Sequence, residues 1–147
     1  MADSRTEFAW LFADDLASAA VLGGVTSAML MGHSYLIAPA MSLTPLYRLL
    51  SLLGAALALR LFLAGAGLWL WTGRDGTRNL ETEMFLWLGI RWVLGFVGPM
   101  VLGWMASETA RIRSTQSATG LLYVVVILAF LGEITSLLLL EKTGYIL

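Results

Sequence analysis

Apolar residues dominate four stretches of the chain, at roughly 16–38, 46–71, 84–106 and 118–140, and each is long enough for a membrane-spanning helix of about 20 residues. Polar punctuation separates them. Pro39, Ser42, Thr44 and Pro45 interrupt the first pair, Thr72-Gly73-Arg74-Asp75-Gly76 opens the second interval, and residues 111–119 form the third. Connections this short make consecutive helices antiparallel neighbours. The expected fold class is therefore all-α integral membrane, an up-down four-helix bundle forming one domain over residues 1–147. The amino terminus, second loop and carboxyl terminus share one side, and loops one and three share the other.

Finer patterning supports these boundaries. Trp10, Trp69, Trp71 and Trp87 gather near one end of the spans, and Tyr35, Tyr47 and Trp104 near the other, as interfacial belts require. Asp3 and Glu7 accompany Arg5 ahead of a first span too long for a signal-peptide core, so no cleavable signal is expected. Lys and Arg outside the spans divide into Arg5, Arg74, Arg78 and Lys142 against Arg48, Arg111 and Arg113, too even a split to set orientation. Span one carries Ala20, Gly24, Ala28 and Gly32 at every fourth position, a strip on which another helix can approach closely. In span three, Pro99 cannot donate to the carbonyl of Gly95, which predicts a kink.

Composition agrees with lipid as the solvent. Of 147 residues, 59% are hydrophobic and 13% charged, about half the charge of a soluble domain, and mean hydropathy is +0.81. A net charge of −1 creates no basic field for nucleic acid. The absence of cysteine excludes disulfides, thiolate metal centres and thiol redox chemistry. With a single histidine, no site needing two imidazoles can come from one chain. No metal site is expected.

The candidate chemistry lies in the charges placed inside the membrane, each costly enough to imply a purpose. Arg91 is seven residues into span three and Glu133 seven residues from the end of span four, so both sit about 10 Å deep from the same side. They are expected to form an intramembrane ion pair. Arg60 should lie about 6 Å deeper. Counted this way, two buried arginines face one carboxylate, and arginine does not shed its proton. Arg60 then either caps carbonyls and shares Glu133 with Arg91, or meets a lipid headgroup, a cofactor carboxylate, a substrate anion or an acid of a partner chain.

His33, beside Tyr35 near the far end of span one, is placed to touch lipid, a quinone or one face of a haem; its structural alternative is a bond to a loop carbonyl or to Tyr47. Arg111 and Arg113 precede the hydroxyl-rich start of span four, where a helix terminus favours an anion such as a phosphate headgroup. Ser114, Thr115 and Ser117 are positioned there as ordinary caps.

These features suggest a non-catalytic accessory or scaffold subunit of a larger bacterial inner-membrane assembly, such as a respiratory or photosynthetic electron-transfer complex. Its partners would be the lipid bilayer and other membrane subunits, with haem, quinone or bound lipid as possible shared cofactors. The alternative is a small homo-oligomeric transporter or channel whose path is lined by Arg60, Arg91 and Glu133, with Pro99 as its hinge.

Overall fold

The computed structural model describes residues 4–38, 42–74, 82–144 and 146. Helix α1 covers Ser4–Ile37 and α2 covers Thr44–Arg74. A third rod is built from α3 (Thr82–Trp92), a π-helical turn (Val93–Val97) and α4 (Gly98–Arg111), and α5 (Thr115–Thr143) completes the chain. Within them, Phe8–Ile37, Thr44–Leu70, Glu83–Arg111 and Thr115–Thr143 are long and apolar enough to cross a membrane. The protein is an all-α four-helix bundle and an integral membrane protein. Thr72-Gly73-Arg74, expected to open the second loop, instead continue α2, and the expected breaks at Pro39 and through residues 75–81 lie outside the described residues.

Local chemistry accounts for the helix ends that are described. Ser42 Oγ accepts from the Thr44 N–H at 3.3 Å, and Pro45 falls in the first turn of α2, where a missing N–H costs nothing. Gly144 ends α5 in the left-handed region at φ 71° and donates its N–H to Leu140 at 2.8 Å, the glycine stop that a side chain would strain. At the α4–α5 turn, Arg113 also adopts positive φ, at 57°. The side chain of Ser114 makes no capping bond there, so the cap expected from it is not formed.

The kink expected at Pro99 takes the form of the π turn. Gly98 donates to the carbonyl of Val93, five residues back, so the backbone widens by one residue ahead of the proline.

Helix α1 packs along both α2 and α5, and α5 in turn packs along the whole third rod. Helix α2 meets the third rod sparsely, along α4. The bundle is thus a ring with one loose seam. The small residues of α1 serve this internal packing. A Cβ on Gly24 would touch Leu53 of α2 at 3.8 Å, and one on Gly32 would press on Thr119 Oγ1 of α5 at 3.0 Å. Ala28 is fully buried, whereas Ala20 faces outward.

The interior is layered along the axis. Ala28, Tyr35, Leu46, Ala110 and Leu122 fill one end, and Val21, Val25, Leu53, Leu57 and Val125 fill the middle. Leu139 with Leu68, Trp87 and Leu88 closes the other end. Between the middle and that last layer, the sequence places its ionisable residues.

Candidate functional site

Every transmembrane rod contributes one charge to this polar layer: Asp14 from α1, Arg60 from α2, Arg91 from α3 and Glu133 from α5. All four are buried, from 1% exposure for Arg91 to 8% for Glu133. They reach the interior because each replaces an apolar residue on its helix's inward stripe. On α1 that stripe runs Asp14, Ala17, Val21, Val25, Ala28, Tyr35, and on α2 it runs Leu46, Leu53, Leu57, Arg60, Leu63, the spacing of one helix face.

Arg60 is the bridge. Its Nε donates to Glu133 Oε1 at 3.2 Å and its Nη2 donates to Glu133 Oε2, a two-pronged match of guanidinium and carboxylate geometry. Its Nη1 donates to both the Asp14 carboxylate and, at 3.2 Å, the Asp14 carbonyl. Ser136 Oγ accepts from Nη2 at 3.4 Å, and Ser18 Oγ donates to Glu133 Oε2 at 2.7 Å. Hydroxyls from α1 and α5 thus add to the contacts of the ionic groups, which is what makes a charge tolerable where water is scarce.

Arg91 approaches Glu133 from the other flank, with Nη1 3.6 Å from Oε1. Its guanidinium also lies over the Phe96 ring, 4.4 Å from the centroid, a favourable cation–π position. Two glycines make the space. A Cβ on Gly95 would fall 2.7 Å from Arg91 Nη1 and 3.2 Å from the Gly132 Cα. The π turn and α5 therefore touch backbone to backbone where the arginine passes.

Two expectations change. The surplus positive charge disappears, because Asp14 belongs to the buried set: two arginines face two carboxylates. The span in α1 begins at Phe8 rather than near Leu16, so Asp14 falls inside it, on the buried stripe with Ala17 and Val21. Arg60 also shares the layer of Arg91 and Glu133 instead of lying deeper, since a long arginine stem can span an offset of about 6 Å.

The other candidates lie apart from the quartet. Tyr35 is 1% exposed, and its hydroxyl donates to the Ser42 carbonyl at 2.6 Å. The loop-carbonyl bond considered for His33 is thus made by Tyr35, while His33 lies on the outer face of α1. Arg111 is exposed and paired with Glu108 at 3.3 Å, and Arg113 is exposed in the following turn. Asp14 is the site residue that span-finding passes over. Its signal was the regular three-and-four spacing that joins it to Ala17 and Val21.

An open groove of about 320 Å³ occupies the loose seam between α2 and α4, lined by Tyr47, Ser51, Gly54, Leu57 and, opposite, Pro99, Gly103, Trp104 and Ser107 among others. None of the quartet residues lines it. No family model, curated protein or solved structure matches the chain.

Proposed function

We propose that the chain is a non-catalytic accessory or scaffold subunit of a larger membrane assembly in a bacterial-type inner membrane. The observation that carries this reading is the self-contained quartet. The costly buried charges bind to one another and tie all four rods at one level, which fits a group that fixes register rather than one that receives a substrate. Short connections in the sequence leave the lipid-facing helix surfaces as the main area through which such a chain could meet other proteins.

An electron-transfer assembly is the finer form of the proposal, and it rests on His33. Its outward position near the end of α1 would let it touch a haem, a quinone or a lipid held with a partner. Arg60 no longer argues for a cofactor carboxylate, because Asp14 answers it.

The transporter alternative keeps one observation in its favour. The π turn directly follows Arg91 and Trp92, and such turns often mark functional sites in helices.

The test is the native mass of the assembly after extraction in a gentle detergent, with every retained component identified. Co-purification with other membrane chains supports the subunit reading, and bound haem or quinone lost on His33→Ala supports its redox form. A homogeneous oligomer of the 16.0 kDa chain alone overturns it, and ion flux through vesicles containing that oligomer would establish the alternative.

A further inference from the structure

We infer that the groove between α2 and α4 holds one acyl chain of an anionic phospholipid, with its phosphate at Arg48 and Arg111. This inference is independent of the subunit reading. The first observation is the shape of the groove. Its wall on α2 extends from Tyr47 to Leu57, about 15 Å along the helix axis. Over that length the groove holds about 320 Å³, a narrow space that suits one slender hydrocarbon chain.

The second observation is the lining. The only hydroxyls contributed by serine, Ser51 and Ser107, are already committed to their own helices, donating to the Arg48 carbonyl at 2.8 Å and to the Trp104 carbonyl at 2.7 Å. What remains facing the space is mostly aliphatic, aromatic and glycine surface. A polar solute would find little to replace its hydration, whereas a hydrocarbon chain from the surrounding bilayer fills such a gap at little cost.

The third is charge at the mouth. Arg48 follows Tyr47 on α2, and Arg111 stands one helical turn beyond Ser107 on α4, so both are at the end of the bundle where the groove meets the interface. Both are exposed. Glu108 holds Arg111 at 3.3 Å, but an exposed pair of this kind contributes little, and a phosphate can replace it with a stronger contact. Arg113, in the adjoining turn, adds to the positive field. Tyr47 and Trp104 flank the same region, suited to the ester level of a lipid.

Gly54 and Gly103 allow a clean test, because a Cβ on either would meet no atom within 4 Å. A leucine there would start into the groove from either wall with its Cβ clear of the fold. The full chain would be reconstituted in vesicles of equal phosphatidylglycerol and phosphatidylcholine, extracted in mild detergent, and examined by native mass spectrometry.

One retained phosphatidylglycerol per chain is expected, enriched over phosphatidylcholine. Gly54→Leu and Gly103→Leu should each lose it while their melting temperature in lipid-free detergent stays at or above the wild-type value. Arg48→Gln and Arg111→Gln should each retain a lipid but reduce the preference for phosphatidylglycerol about fivefold, the effect of one basic residue near an anionic surface. Retention of the lipid by folded Gly103→Leu chain overturns the inference. So does wild-type chain carrying the two lipids in the proportion supplied, or a co-purified protein chain that Gly103→Leu displaces in place of lipid.

Discussion

Asp14 and Glu133 play unequal parts around the same guanidinium. Glu133 accepts from Arg60 and Ser18 and lies beside Arg91, whereas Asp14 is joined to Arg60. Removing one partner of a buried ion pair leaves a desolvated charge behind, at a cost of about 3–5 kcal/mol. Glu133→Gln should reach that range, because both arginines lose their common counter-charge. Asp14→Asn should cost less, since Arg60 keeps its two-pronged contact with Glu133. Denaturant unfolding of the detergent-solubilised chain would measure both. A silent Asp14→Asn beside a costly Glu133→Gln would mean that Asp14 does not answer Arg60. The approach of Arg91 to Glu133 could be anticipated from sequence because depth in a membrane helix follows residue count. Asp14 was obscured by its neighbour Asp15 and by an apolar stretch that begins at Leu16, which together resemble the outer edge of a span.

At the scale of the helices, the crossing of the third rod and α5 depends on the absence of two side chains. Gly95 and Gly132 meet backbone to backbone beneath Arg91, and a Cβ on Gly132 would also press on the Gly95 nitrogen at 3.1 Å and on Arg91 Nη1 at 3.3 Å. In lipid, helices associate through close packing more than through hydrophobicity, so a methyl group at this point forces the rods apart and moves the arginine. Gly132→Ala is expected to lower stability by about 1–3 kcal/mol. Gly120→Ala, on the same helix but facing open space, should be neutral or slightly stabilising because alanine favours helix. Equal effects in an unfolding titration would remove the crossing as the cause. Pro99 announced an irregularity in this rod from sequence alone. Its form did not follow from the proline, because either a bend or a widened turn could accommodate the missing donor. The wider turn places Gly95 against Gly132 and Phe96 beneath Arg91.

For the molecule as a whole, the four spans and their alternating directions follow from hydropathy and loop length, but their order around the ring does not. Short loops would allow span two to pack fully against span three, yet α2 meets α4 sparsely and α1 takes the central place between α2 and α5. The reason lies in side-chain size: Gly24 admits Leu53 on one side of α1, and Gly32 admits Thr119 on the other. The chain has no native cysteine, so this order can be tested by a single engineered bridge. A Cβ at position 32 would lie 3.6 Å from the Thr119 Cα, which puts the two positions within reach of a disulfide. Gly32→Cys combined with Thr119→Cys should therefore oxidise within one chain, giving a shifted band at monomer mass that reductant reverses. Gly23→Cys with Gly120→Cys, whose positions face open space, should remain reduced under the same conditions. Efficient bridging of the second pair, or failure of the first in a folded chain, would place α5 on a different side of α1. The quartet could not then join all four rods in one layer, because Glu133 reaches Arg60 and Ser18 only from this side.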